Sequence, residues 1–285
     1  RQMSKLCEGR VVIVTGGARG IGREHCLMLA EHGAKVVVND LGGARDGTGS
    51  DLGPADEVVA EIEAMGGEAV ANGDDVSDWE GAQAMVNQAI ETFGDLTGIV
   101  NNAGILRDRM LVNMTEAEWD AVIQVHLKGT FAPARWAAAY WRDKAKAGEQ
   151  VNASIVNTTS VSGIYGNPGQ TNYGAAKMGI VGLTNVLDIE GMKNNIKANA
   201  IAPNAATRMT ETLFGEDMSK MLTVDNITPL VVYLASEQCE ITHEIFTAGG
   251  GRFSRVGIST DVGYFNPSAS AEDILNNIDE VRDLS

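Results

Sequence analysis

Short apolar runs rich in β-branched residues alternate with amphipathic stretches along almost the whole chain, starting at Arg10. Arg10–Thr15 reads as a strand and Ile21–His32 as the helix that follows it. Ala34–Asn39 is a second strand, before a Gly-rich polar loop at Gly42–Gly53 that serves as a connection or a substrate lid. Pro54–Met65 has helical spacing, with Val58, Val59, Ile62 and Met65 on one face. Glu68–Ala71 is a third strand. Asp78–Phe93 is a helix, and Ser77 with Glu80 has the spacing of a capping box at its start. Leu96–Asn101 is a fourth strand, and Thr115–Ala139 is mostly helical, opened by Thr115 with Glu118. Ser154–Thr158 is a fifth strand, Tyr173–Met192 a long helix, and Ala198–Ala202 and Glu244–Ala248 the last two strands.

Strands that alternate with helices imply parallel pairing and right-handed crossovers. The strand runs are apolar on both faces, as a sheet covered on both sides requires. The expected fold is α/β: a single doubly wound, Rossmann-type domain with a mainly seven-stranded parallel sheet flanked by helices. Residues 1–251 form that domain. Residues 252–285 are a C-terminal extension with one amphipathic helix, Ala271–Leu284, that docks on the body or on a neighbouring subunit.

Composition narrows the function. Lys+Arg 22 against Asp+Glu 38 gives a formal charge of −16, a field that repels phosphate backbones and anionic membrane surfaces. Nucleic acid and membrane are therefore not expected partners; a small-molecule substrate is. The three cysteines, Cys7, Cys26 and Cys239, make no C-x-x-C pair and read as buried or free thiols, so no metal site or disulfide framework is expected. The segment from Arg1 to Cys7 lacks an apolar stretch of signal-peptide length, and no run approaches the ~20 apolar residues that span a bilayer. A cytoplasmic address is the simplest expectation.

Thr15-Gly16-Gly17-Ala18-Arg19-Gly20-Ile21-Gly22 lies where the first strand turns into the first helix. Glycines at 16, 20 and 22 allow a tight turn and let a pyrophosphate lie against N–H groups at a helix N-terminus. Asp40 ends the next strand, where a carboxylate accepts hydrogen bonds from ribose hydroxyls and repels a 2′-phosphate. NAD is expected over NADP. Arg19 is the counter-signal, since a cation in the turn suits the extra phosphate.

Tyr173-Gly174-Ala175-Ala176-Lys177 places a phenol and an ammonium one helical turn apart on one face. The ammonium should lower the phenol's pKa from its usual ~10 and make it a proton donor and acceptor near neutral pH. Ser160, thirteen residues upstream at the end of the fifth strand, offers a hydroxyl to polarise a carbonyl beside it.

Thr15–Gly22, Asn101-Asn102-Ala103-Gly104, Ser160 and Tyr173-x-x-x-Lys177, in that order between about Gly9 and Gly251, resemble the short-chain dehydrogenase/reductase family. The resemblance implies an NAD(P)-dependent oxidoreductase acting on CH–OH donors. It makes Tyr173 the general acid/base, Ser160 the carbonyl orienter, and Lys177 a second holder of the nicotinamide ribose. Asp75 with Val76 would meet the adenine, and Asn102, Ala103 and Gly104 would form the cofactor floor. Pro203–Thr210 would cover the nicotinamide, with Thr207 on its carboxamide. The family often has asparagine where His126 stands here, supporting a water relay to the lysine; the histidine supports that relay or merely packs. Pro203-Asn204 replaces a frequent Pro-Gly.

Val38–Gly43, Asn102–Arg109, Gly163–Asn167 and Ala202–Ala205 resemble one branch of the family, the dehydrogenase part of peroxisomal multifunctional enzyme type two. That branch also has histidine at 126 and Pro-Asn at 203–204. It implies oxidation of a (3R)-hydroxyacyl-CoA to the 3-ketoacyl-CoA, with a hydroxysteroid dehydrogenase, a 3-ketoacyl reductase or a non-catalytic NAD-binding sensor as alternatives. Arg107 and Arg109 either meet CoA phosphates, form a structural pair with nearby acids, or make a subunit contact. Kinship further implies a homodimer or homotetramer built on Thr115–Ala139 and Tyr173–Met192.

Overall fold

A computed structural model describes residues 5–43, 48–204 and 223–284. Among them the chain runs β1 (Val11–Thr15), α1 (Gly20–Glu31), β2 (Lys35–Asn39), α2 (Gly53–Ala64), β3 (Glu68–Asn72), α3 (Trp79–Phe93) and β4 (Gly98–Asn101). Next come α4 (Glu116–Val122), α5 (Gly129–Lys146), β5 (Ala153–Thr158), α6 (Val161–Tyr165), α7 (Thr171–Gly191) and β6 (Ile196–Pro203). The remaining elements are α8 (Thr228–Ala235), β7 (Ile245–Gly249), β8 (Arg252–Val256), α9 (Ala271–Asn276) and α10 (Ile278–Arg282).

Eight strands form one sheet in the order β3-β2-β1-β4-β5-β6-β7-β8, parallel from β3 to β7. The eighth strand is a correction to the expected seven. Gly250 and Gly251, at φ +59° and +77°, make the two-residue turn that folds β8 back along β7. That Gly-Gly pair was the signal available in the sequence.

Strand residues alternate between two cores. Val12, Val14, Val36 and Val38 pack with Cys26, Leu29, Val58 and Val231, while Ile13, Val37, Ile99 and Ile155 pack with Met85, Val86 and Trp141. Both faces are thus covered by helices, which is why the strands read as unbroken apolar runs. Cys7, Cys26 and Cys239 are buried free thiols. At the N-terminal ends of the strands the buried Arg10 guanidinium donates to the carbonyls of Ala235, Asn152 and Thr97, so one side chain ties together segments flanking β1, β4, β5 and α8. The opposite, C-terminal ends are left for a site. Strand order reverses between β1 and β4, which opens a crevice there.

Three local details differ from the pattern reading. Asp78, not Ser77, caps α3 by accepting from the Gly81 N–H, and the Ser77 hydroxyl instead donates to Asp75. The Thr115 capping box with Glu118 forms as expected, but the helix it opens changes into a π-helical turn at Ile123–Lys128 before α5. Pro133 inside α5 has no N–H to give the carbonyl four residues back, so a regular ladder cannot run through this stretch. The chain divides into two compact units, residues 1–255 and 256–285. In the second, the expected single helix is two short ones interrupted at Asn277, the first opened by a Ser270–Asp273 capping box. Among the described residues no helix is long and apolar enough to cross a membrane, and no cluster of His, Cys, Asp and Glu could hold a metal.

His25 on α1 is fully buried, with Nδ1 2.9 Å from the Thr228 hydroxyl and Nε2 unpartnered. Burial lowers its pKa from 6.5 to about 3. The native state therefore refuses a proton that the unfolded chain accepts. This contribution to stability is whole above about pH 6.5 and drains as pH falls toward 3, at about 1.4 kcal/mol per unit. Urea unfolding should show the wild type losing stability on acidification faster than His25→Gln between these limits. Parallel pH slopes for the two proteins would contradict the burial argument.

Candidate active site

The turn after β1 is shaped for close approach of a ligand's backbone-sized groups. Gly16 sits at φ +63°, and a Cβ there would lie 2.9 Å from Ala103 Cα. A Cβ on Gly22 would lie 2.0 Å from the Gly16 carbonyl oxygen and 2.5 Å from Asn102 Nδ2. Gly20, at φ +55°, begins α1, and no side chain caps that helix N-terminus. The first-turn N–H groups of α1, those of Ile21 and Gly22 among them, therefore have no side-chain acceptor and suit an anion. Asn102 stitches the turn to the end of β4: Nδ2 donates to the Thr15 and Gly16 carbonyls (both 3.2 Å), and the Asn102 and Ala103 N–H groups donate to Thr15 Oγ1. These residues fit the pyrophosphate of a dinucleotide.

Asp40 is half-buried at the end of β2. One carboxylate oxygen accepts from the Ala18 N–H (3.0 Å) and the other from the Gly42 N–H (2.8 Å), which fixes the carboxylate beside the turn with lone pairs to spare. Arg19 turns toward the same place, but its Nη1 donates to the Gly43 carbonyl at 3.1 Å. Beyond β3, Asp75 accepts from the Ser77 N–H and hydroxyl through one oxygen, and buried Val76 packs under Gly129. Pro203 ends β6 on the same edge of the sheet, and Asn204 donates its N–H to Ala248 O. Thr207 lies outside the described residues.

Ser160, Tyr173 and Lys177 come together. Ser160 follows β5, caps the short α6 by accepting from the Ser162 N–H, and hydrogen-bonds the Tyr173 phenol. Lys177 Nζ lies 5.4 Å from the Tyr173 ring centroid and donates to the Thr158 carbonyl at 2.8 Å. The electrostatics differ from the pattern reading. Burial raises the Tyr173 pKa, the Ser160 hydrogen bond lowers it, and the Asp108 charge raises it. Lys177 is itself so buried that its pKa falls from 10.5 to about 7. Desolvation thus outweighs the one-turn attraction between amine and phenol.

His126 is carried on the π-helical turn, and its ring stands edge-on to Tyr173 with centroids 5.1 Å apart. Its Nε2 lies 2.7 Å from the Ile105 carbonyl and 3.1 Å from the Ile105 N–H. The shorter contact, to an acceptor-only oxygen, puts the ring proton on Nε2 and leaves Nδ1 as a buried acceptor without a partner. Burial first, then the Lys177 charge, lowers its pKa to about 3, against a weaker opposing effect of the Ile105 hydrogen bond. Gly104 makes the contact possible, since a Cβ there would lie 2.3 Å from His126 Cε1. Two buried residues with no sequence motif also join the site. Asn172 Nδ2 donates to Arg107 O and Glu118 O, and Gln170 Nε2 donates to Asp108 Oδ2. Arg109 makes a two-pronged ion pair with Glu118, which holds that carboxyl down at about 2.

A family model described as short chain dehydrogenase matches residues 10–218. The chain is 45% identical to peroxisomal multifunctional enzyme type 2 of Mus musculus over 98% of its own length, and spans 37% of that longer enzyme. It is 43% identical to hydroxyacyl-CoA dehydrogenase ChsB1 of Mycobacterium tuberculosis, over 87% of this chain and 80% of that protein. Among solved structures, a short chain dehydrogenase from Mycobacterium avium superposes with a TM-score of 0.84 at 46% identity, covering 98% of this chain and 97% of that one.

Proposed function

Because this chain belongs to the short-chain dehydrogenase family and is an oxidoreductase, we propose that it oxidises (3R)-hydroxyacyl-CoA thioesters to 3-ketoacyl-CoA with NAD. One observation carries the chemistry: Ser160, Tyr173 and Lys177 come together beyond β5, at the same end of the parallel sheet where the uncapped, glycine-lined helix end follows β1. The substrate class is supported by the likeness to hydroxyacyl-CoA dehydrogenase ChsB1 and by the branch-like residues His126 and Pro203-Asn204.

The nicotinamide ring of a bound dinucleotide supplies the hydride acceptor. Gly16, Gly20, Ile21, Gly22, Asn102, Ala103 and Gly104 would hold its pyrophosphate and floor, Asp40 its adenosine ribose, Asp75 and Val76 its adenine. Tyr173 takes the proton of the substrate hydroxyl, and Ser160 donates to the same oxygen as charge gathers on it. Lys177 stabilises the phenolate and would also hold the nicotinamide ribose, with Pro203 and Thr207 the residues that would meet the ring. His126 Nδ1, an open acceptor within the field of Lys177, supports a water through which the lysine's proton leaves.

Rates with matched (3R)- and (3S)-3-hydroxyacyl-CoAs and a hydroxysteroid, each with NAD and NADP, test the substrate. The (3R)-thioester with NAD should be turned over fastest. Steroid oxidation with inert CoA esters would replace this reading by the alternative one. For the cofactor, Asp40→Ala should narrow the preference for NAD over NADP by about tenfold or more, measured as a ratio of dissociation constants. An unchanged ratio would mean that Asp40 does not meet the ribose.

A homodimer or homotetramer is part of the proposal. Ile180 and Val181 of α7 are buried, but Val186 and Ile189 are 50% and 64% exposed, and Phe131 on α5 is 42% exposed. The exposed apolar side chains along α7, with Phe131 on α5, support association through these helices. The free, buried thiols suit a reducing compartment, and we place the enzyme in the cytoplasm.

A further inference from the structure

We propose that Asn172 is a positioning residue that sets the phenol of Tyr173 in register with the segment Gly104–Arg109, an inference that rests on Tyr173 being the acid/base. Tyr173 lies in the first turn of α7, where N–H groups lack intrahelical partners and helices fray. The N-cap residue, Gln170, makes no side-chain capping bond. Asn172 takes over that task from inside the turn. Its Oδ1 accepts from the Tyr173 N–H at 2.7 Å, and its Nδ2 donates to Arg107 O and Glu118 O, each at 3.0 Å. The side chain is fully buried, so all three bonds are made away from competing water.

The partners explain the purpose. Arg107 belongs to the segment that His126 holds at Ile105, that Gln170 holds at Asp108, and whose Arg109 N–H donates to Gly169 O at 2.8 Å. Glu118 belongs to α4, which leads into the π-helical turn bearing His126. One amide thus joins the tyrosine's own backbone to the two elements that place His126. Without it, the helix end can shift by a fraction of a turn while the core of α7 stays packed. A displacement of about 1 Å at a reacting group costs up to about a hundredfold in rate.

The test compares Asn172→Leu, which removes all three bonds, with Asn172→Asp, which keeps the acceptor for the Tyr173 N–H and loses both donors. Turnover is expressed per bound NADH, counted by fluorescence titration, so that partly unfolded protein is not scored. Asn172→Leu should lower kcat at least tenfold with the NADH dissociation constant within about twofold of wild type. Asn172→Asp should add a carboxylate against the Tyr173 backbone N–H and, by its charge, move the rising limb of the pH–kcat profile upward. Asn172→Ser serves in place of the leucine variant if that chain does not fold. Wild-type kcat per bound cofactor and an unmoved pH profile would overturn the inference and leave Asn172 a stabilising residue only. Tyr173→Phe in the same assay separates the two readings. If it keeps its turnover, the acid/base assignment falls first; if it is inactive while the Asn172 variants are normal, only the positioning role falls.

Discussion

Tyr173→Phe should bind NADH with near wild-type affinity and lose turnover by two to four orders of magnitude, the usual contribution of a positioned acid/base group. The substitution removes one oxygen and leaves the ring that stands edge-on to His126 and near Lys177. Packing is therefore preserved, and the loss reports on the hydroxyl alone. Ser160 loses a hydrogen-bond partner but keeps its bond from the Ser162 N–H, so the loop after β5 should hold its place. Stopped-flow measurement of the chemical step, beside a fluorescence titration of NADH, checks both halves. Full turnover in the variant would remove Tyr173 from the reaction and with it the proposed mechanism.

Lys177→Met should also lose turnover, by at least a hundredfold, and yet unfold at a higher temperature when no dinucleotide is added. Burial lowers the Lys177 pKa from 10.5 to about 7, a shift that amounts to roughly 5 kcal/mol at most. The unfolded chain binds this proton more tightly than the native one. Stability is thus lost as pH falls from about 10.5 to about 7, and below 7 the whole penalty is present. A methionine carries no charge to desolvate and fills similar space; against this, the Thr158 carbonyl loses a donor, at about 1–3 kcal/mol. A net gain of a few kcal/mol near neutral pH corresponds to a rise of several degrees in Tm. The gap between variant and wild type should be widest below about pH 7 and close toward pH 10. A lower Tm for the variant at every pH would mean that the buried ammonium is stabilised by the native fold after all. The expected result is a site that sacrifices stability for chemistry.

The comparison between Lys177 and Tyr173 shows where sequence reasoning stops. Spacing of four on a helix placed amine and phenol on one side, and the rings and charges do meet. Spacing says nothing about how much protein closes over them. The depth of burial, set by β5, the π-helical turn and the segment after β4, reverses the expected direction of the phenol's shift. In the same way, nothing in the sequence pairs Arg109 with Glu118; α4 brings the carboxylate against it.

Asn172 and Gln170 escaped notice because an asparagine beside a tyrosine carries no signal of its own. Their partners are carbonyls and a carboxylate some fifty to sixty-five residues away in sequence, and only the packing of α7 on the segment after β4 brings them near. The π-helical turn was hidden for a related reason: its apolar spacing resembles that of an ordinary helix, and Pro133 was the one visible warning.

What the amino-acid order determined by itself was periodic or local: strands apolar on both faces, helices between them, a glycine-rich turn where the first strand passes into the first helix, and a Tyr–Lys pair one turn apart. Such features depend on neighbours within a few residues, so they survive without knowledge of the fold. What only the tertiary structure decided was long-range: the eighth strand's place in the sheet, the pairing of Arg109, the burial of Lys177 and the grip of Asn172. Electrostatic and hydrogen-bond energies depend on distance and on exclusion of water, and both are fixed only when remote segments pack.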